Sequence, residues 1–324
     1  MQMDNYYDIL IVGGGPIGIA CGIEAQKHNK SHIIIEKGCL VNSLYHYPVN
    51  MTFFSSAERL EIGNTPFVTT NPKPKRAEAL EYYRRIEQKF NLNTHLFEEV
   101  LAIQKEEGLF KVQTNKDQYT AKQVIVATGF YDIPMLMDIP GEELPKVKHY
   151  YDDPHYYAKQ QVLVVGASNS SIDAALETFR KGAQVTLVVR GPAISPRVKY
   201  WVRPDIDNRI AFGEVKAYFN SCLSRVTEKE AYIQTPEGEI CIPNDFVLAL
   251  TGYRPNFQFL RKIGIEIPEE KPMIPMHNPE TMETNVPGLY LAGVVCGGLN
   301  THLWFIENSR IHAQMILQHI IQQA

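Results

Sequence analysis

No C-x-x-C pair occurs in the 324 residues, and the five cysteines, Cys21, Cys39, Cys222, Cys241 and Cys296, are scattered and odd in number. That pattern argues against a disulfide scaffold and points to reduced thiols in a cytoplasm. Long apolar runs are also missing. The longest, Ile9 to Val12 with the glycines after it, is far short of a membrane span. The N-terminus carries Asp4 and Asp8 and no basic n-region, so it does not read as a signal peptide. A large excess of one sign of charge is missing: with 32 Lys+Arg against 36 Asp+Glu, a formal net charge of −4 gives no reason to expect nucleic acid or an anionic membrane as partner. What remains is a globular composition, with 44% hydrophobic and 21% charged residues, on a chain long enough for two domains.

Two stretches read strand, small-residue turn, helix. The first is Asp8-Ile9-Leu10-Ile11-Val12-Gly13-Gly14-Gly15-Pro16-Ile17-Gly18, and the second is Gln161-Val162-Leu163-Val164-Val165-Gly166-Ala167-Ser168-Asn169-Ser170-Ser171. Each opens with an apolar β-branched run suited to a strand buried on both faces. Each then loses its side chains where a backbone must approach a pyrophosphate, and enters a helix whose first N–H groups favour an anion. Two such turns imply two nucleotides.

Around them the chain repeats one architecture. The first unit predicts a strand at Tyr7–Val12, a helix over Ile17–Asn29 and a strand from Ser31 to Glu36. An irregular stretch runs from Gly38 to Pro74, and a helix carries Ala79, Tyr82, Tyr83, Ile86 and Phe90 at helical spacing. Short strands then close on Val124-Ile125-Val126-Ala127-Thr128-Gly129. The second unit predicts a strand at Val162–Val165, a helix over Ser170–Lys181, a strand at Gln184–Val189, and a closing run from Asp245 to Gly252. A last segment holds Ala292-Gly293 and a final helix over Asn300–Gln322. The expected fold is α/β with two Rossmann-like dinucleotide-binding domains. Residues 1–132 and 251–324 would form a discontinuous FAD-binding domain, and 133–250 an inserted NADPH-binding domain.

The first turn fits G-x-G-x-x-G in the required context, and Glu36 ends the next strand eighteen residues past Gly18. A carboxylate there binds two ribose hydroxyls and repels a 2′-phosphate, which suits FAD. Arg190 stands at the matching point of the second unit, with Arg197 and Lys199 following. A cation there suits the 2′-phosphate of NADPH. Ser168 and Ser171 stand at the second and third glycine positions and keep the turn small, with hydroxyls that are expected to donate to phosphate, and Asn169 and Ser170 between them are also expected at NADPH. Ala127-Thr128-Gly129 and Gly293-Val294 are expected to line the flavin, with Cys296 in a loop facing it and His302 in the first turn of the last helix. These two are the candidate catalytic side chains. No metal ligation is expected.

Together these elements resemble the thioredoxin-reductase-like flavoproteins from end to end. Where thioredoxin reductases carry their dithiol, this chain reads His149-Tyr150-Tyr151-Asp152-Asp153-Pro154-His155-Tyr156-Tyr157, so thioredoxin reductase activity is not expected. A closer resemblance is to the bacillithiol-disulfide reductase family. It rests on the first turn, Tyr47-Pro48, Phe53-Phe54-Ser55, Gly293-Val294 and Phe305-Ile306-Glu307-Asn308-Ser309-Arg310. The resemblance implies FAD and NADPH as cofactors, a low-molecular-weight thiol disulfide or small redox acceptor as partner, and a homodimer or larger symmetric assembly. It also implies Gly13, Gly15, Pro16, Ile17, Gly18, Glu36, Lys37, Ser43 and Val100 among the FAD contacts, and Gly166 among those to NADPH. Better-known members carry cysteine where this chain has Ile17, and isoleucine forms neither a thiolate nor a mixed disulfide. Alternative readings of the same fold are a flavin monooxygenase and a ferredoxin or flavodoxin reductase. A nucleotide-sensing binding module without turnover is the reading from a different class.

Overall fold

The computed structural model describes residues 5–323, so Asp4 and Ala324 lie outside the described residues. The described residues divide into two compact units, one of 5–45, 55–133 and 253–323, the other of 46–54 and 134–252. The second unit therefore takes in His46–Phe54, placed with the first domain in the sequence reading. The Val49 N–H donates to the Asp152 carbonyl at 3.1 Å, and Asn50 Nδ2 reaches Glu177 Oε2 at 3.5 Å.

In the first unit, β1 (Tyr6–Val12) leads through α1 (Pro16–Lys27) to β2 (His32–Ile35). Two helices follow, α2 (Asn42–Tyr45) and α3 (Arg76–Phe90). Then come β3 (Thr94–His95), β4 (Val100–Glu106), β5 (Leu109–Thr114) and β6 (Gln118–Val126). β1 lies parallel between β2 and β6, and β3 continues beyond β2. β4, β5 and β6 form an antiparallel meander. β6 changes neighbour along its length: its first half pairs with β5, and Val124–Val126 pair in parallel with Leu289–Leu291. Ile9, Leu10, Ile11, Ile33, Ile34, Val124, Ile125 and Val126 are fully buried, as central parallel strands covered on both faces require. Each contributes about 1.5–3 kcal/mol through burial.

The second unit is built on a parallel five-stranded sheet. Its order is Lys216–Tyr218, Gln184–Val188, Gln161–Val165, Phe246–Ala249, Val147–Lys148. The helix α4 (Asn169–Arg180) follows Gln161–Val165. A separate antiparallel sheet of Cys222–Val226, Glu230–Thr235 and Gly238–Pro243, and a helix at Arg203–Ala211, fill a stretch in which the sequence reading assigned no elements.

The expected last helix over Asn300–Gln322 is broken. Residues 300–305 form turns and irregular chain, and helices run over Ile306–Ser309 and His312–Gln322. The Asn308 side chain accounts for the late start. Its Oδ1 accepts the Phe305 N–H at 2.7 Å and its Nδ2 donates to the Leu303 carbonyl at 2.9 Å, so it caps a helix that starts after Phe305. Among the described residues, no helix is long and apolar enough to cross a membrane.

Two neighbouring glycines make opposite predictions. A Cβ on Gly18 would lie 1.9 Å from the Gly13 carbonyl oxygen, whereas one on Gly15 meets nothing within 4 Å. Gly18→Ala should therefore cost about 1–3 kcal/mol, read as a lowered urea midpoint. Gly15→Ala should unfold like the parent.

Candidate functional site

The first turn is shaped by backbone packing. Gly13 has φ +109°, donates its N–H to the Ile35 carbonyl at 2.8 Å, and lies where a Cβ would be 2.6 Å from the Ala127 carbonyl oxygen. Pro16 opens α1, and the helix makes its bond from the Ile19 N–H to the Gly15 carbonyl at 2.9 Å. Ile17 and Gly18 precede that bond, so their N–H groups have no acceptor within the helix. The open space over Gly15 and these donors form a cradle that a Cβ would fill and a diphosphate fits.

Glu36 is buried at the end of β2. Its Oε2 accepts the Gly14 N–H at 2.8 Å and its Oε1 the Gly38 N–H at 2.9 Å. Burial raises its pKa, and the two N–H donors oppose that shift. A carboxylate offers about four acceptor positions; two are taken, which leaves room for two ribose hydroxyls. Lys37 is exposed and ion-paired with Asp132 at 2.7 Å. The Val41 N–H donates to the Gly14 carbonyl at 3.1 Å and ties α2, with half-buried Ser43, to the turn.

Glu98 lay outside the sequence reading. This buried carboxylate accepts the Thr114 hydroxyl at 2.6 Å and the Tyr119 hydroxyl at 2.9 Å, and His95 Nδ1 lies 3.3 Å from it. Its backbone N–H donates to the Glu36 carbonyl at 2.9 Å, and the Phe97 N–H donates to the Gly38 carbonyl at 3.0 Å. The Glu98 cluster thus holds the Glu36–Gly38 backbone in place and sets buried Val100 beside it. No motif spacing marks Glu98, because its donors come from the meander.

At the ends of β1, β6 and Leu289–Leu291 three predicted segments converge. The Ala127 N–H donates to the Val12 carbonyl at 2.8 Å, and the Ala292 N–H to the Val126 carbonyl at 2.9 Å. A Cβ on Gly129 would lie 3.8 Å from Val294 Cγ2, and one on Gly293, where φ is +86°, would lie 3.2 Å from Ile17 Cγ1. Gly13, Ile17, Ala127, Gly129, Gly293 and Val294 therefore share one locus, with half-buried Thr128 between Ala127 and Gly129.

The two candidate catalytic side chains fare differently. Cys296 is fully buried and burial drives its thiol pKa far upward, so it holds no thiolate. Its Sγ lies 3.9 Å from His312 Nδ1. His302 is exposed in the turn before the Asn308 cap rather than in a helix. The buried histidine of this region is His312, also outside the sequence reading, whose pKa is lowered to about 4 by burial and then by His277.

In the second unit Gly166 has φ +135°, and a Cβ there would lie 2.7 Å from the Leu250 carbonyl oxygen. Ser168 and Ser170 are exposed. Ser171 is corrected: its Oγ accepts the Ser168 N–H at 3.0 Å and donates to the Ser168 carbonyl at 2.9 Å. Its proton is used within the turn and does not serve a phosphate. Asn169 accepts the Lys199 N–H at 2.8 Å and donates to the Arg197 carbonyl at 3.2 Å, which folds the loop carrying exposed Arg197 back onto the turn. Lys199 is also corrected, since it is buried and paired with Asp173 at 2.6 Å. Arg190 is exposed and has no ion pair among the described residues. A cavity of about 220 Å³ beside this loop is lined by Ile194, Arg203, Asp207 and Phe219.

A family model described as pyridine nucleotide-disulphide oxidoreductase matches residues 10–293. Bacilliredoxin reductase Bdr of Bacillus subtilis (strain 168) is 44% identical over 316 residues, covering 97% of this chain and 97% of that protein. The solved bacillithiol disulfide reductase Bdr (YpdA) from Bacillus cereus superposes with a TM-score of 0.96 at 41% identity, covering 98% of this chain and 100% of that one. The protein of the same description from Staphylococcus aureus gives 0.96 at 38% identity, covering 98% and 99%.

Cysteine accessibility and the buried histidine each generate a prediction. Alkylation of the native protein, followed by mass spectrometry, should label exposed Cys222 and Cys241 and leave buried Cys21 and Cys296 unmodified. His312 titrates near 4 when folded and near 6.5 when unfolded, so the unfolded chain binds more protons between those values. Stability should fall by about 2–3 kcal/mol as pH drops from 6.5 towards 4. Replacing His312 with Leu should flatten that part of the urea-midpoint profile; an unchanged slope would remove His312 as its source.

Proposed function

This chain belongs to the pyridine nucleotide-disulphide oxidoreductase family, and from that premise we propose that it uses NADPH and FAD to reduce the disulfide of a low-molecular-weight thiol of the bacillithiol type. The net reaction is NADPH + H⁺ + RSSR → NADP⁺ + 2 RSH. The observation that carries the reading is Glu36, held by two backbone N–H groups with acceptor capacity to spare, beside a glycine cradle open at Gly15.

We assign FAD to the first unit. Gly15, Ile17 and Gly18 would meet its diphosphate, Glu36 its adenosine ribose, and Ala127, Thr128, Gly129, Gly293 and Val294 its flavin end. Bound FAD supplies a two-electron relay between the nicotinamide and the disulfide. We assign NADPH to the second unit, with Gly166, Ser168 and Ser170 at its diphosphate and Arg190 and Arg197 at its 2′-phosphate. Ile17 and Gly293 pack against each other and close the flavin locus with hydrocarbon and backbone. Buried Cys21 and Cys296 have thiol pKa values driven upward by burial, so no protein thiolate is assigned to cleavage of the disulfide.

The test is anaerobic NADPH oxidation with bacillithiol disulfide, with thiol release counted. Two thiols per NADPH are expected, and NADPH consumption without thiol release contradicts the proposed substrate. Arg190→Ala should raise KM for NADPH about tenfold to a hundredfold while leaving that for NADH nearly unchanged, the loss of one charge-assisted contact. Equal effects on both nucleotides would remove Arg190 from the 2′-phosphate.

A further inference from the structure

His312 accepts the Gly293 N–H on Nδ1 at 3.1 Å and is only 1% exposed. An accepting Nδ1 puts the ring proton on Nε2. Among the described residues that buried Nε2–H has no hydrogen-bond partner, and the ring lies T-shaped to Trp304 with centroids 4.5 Å apart. Packing alone does not account for such a residue. An apolar side chain of similar volume would fill the space without stranding a donor. What the imidazole adds is one lone pair, and that lone pair is spent on Gly293. The Cys296 thiol at 3.9 Å from the same nitrogen is secondary, because Nδ1 has a single in-plane acceptor site.

Gly293 needs such an anchor. It adopts φ +86°, and its α-face lies against Ile17, with a Cβ there only 3.2 Å from Cγ1. The next residue, Val294, meets Gly129. We propose that His312 is a positioning residue, whose Nδ1 fixes the Gly293–Val294 backbone, and with it Ile17, against the flavin. The inference rests on the FAD reading given above. His312 touches neither cofactor nor substrate; it acts through Gly293. Loosening that backbone would let the wall of the flavin locus shift and would weaken whatever preference a fixed, preorganised wall gives the anionic reduced flavin over the neutral oxidised one.

Three variants test it: His312→Leu removes the acceptor, His312→Asn places an amide oxygen where Nδ1 stands, and His312→Gln carries its amide one carbon further. FAD is titrated into each apoprotein by fluorescence, and the flavin midpoint potential and visible spectrum of each loaded protein are recorded. His312→Leu should lose about tenfold in preference for reduced over oxidised flavin, a potential about 30 mV more negative, with a changed visible band shape. His312→Asn should restore both. Should His312→Leu fail to fold, His312→Gln takes its place with the same expected shift. A wild-type potential and spectrum in the Leu or Gln variant overturns the proposal, as does an Asn variant that shifts as far as Leu, which assigns the effect to packing. Failure of the wild-type apoprotein to bind FAD is a separate outcome that overturns the FAD reading itself.

Discussion

The approach of two backbones inside the first glycine turn sets the geometry of the first unit. The Gly13 carbonyl oxygen lies 1.9 Å from where a Cβ on Gly18 would stand, and Gly13 itself presses on the Ala127 carbonyl. With no side chains between them, α1 starts directly over the ends of β1 and β6. From that start follow the open face at Gly15, the bond from the Gly14 N–H to Glu36, and the seating of Ile17 against Gly293. A larger residue at Gly13 or Gly18 would move the helix and separate all three.

Polar anchoring then holds what packing has placed. Glu98 fixes one flank of the locus through the backbone of Glu36, and His312 fixes the other through the backbone of Gly293. Both are buried, and both reach the site through main-chain groups of another residue. Such bonds do not choose a ligand; they hold the groups that do. The second unit uses the same logic with different atoms. Ser171 ties the turn to itself, and Asn169 ties the Arg197 loop to the turn. Arg190 and Arg197 stay exposed at the surface of that unit.

Sequence legibility followed the same division. Gly13, Gly18, Glu36 and Gly166 were readable because strand, small-residue turn, helix and terminal charge lie in fixed order over a short stretch. Glu98 and His312 were not, because their partners are distant in sequence and no spacing pattern marks either one. Lys199 read as a surface cation, and only the fold brings Asp173 within 2.6 Å of it. Ser171 read as a phosphate donor, although its hydroxyl closes a local turn. The break near the C-terminus was missed for a related reason. Asn308 competes with the backbone by hydrogen bonding locally, and a hydrophobic pattern does not register that competition.

The central claim is that one chain holds two different nucleotides at two separate turns. The most direct measurement is stoichiometry: FAD released from the reconstituted protein per chain, and calorimetric titration of the FAD-loaded protein with NADP⁺. The account predicts one FAD and one NADP⁺ per chain, with FAD retained throughout the titration. A protein that stays colourless after reconstitution, or that surrenders FAD as NADP⁺ binds, would contradict it.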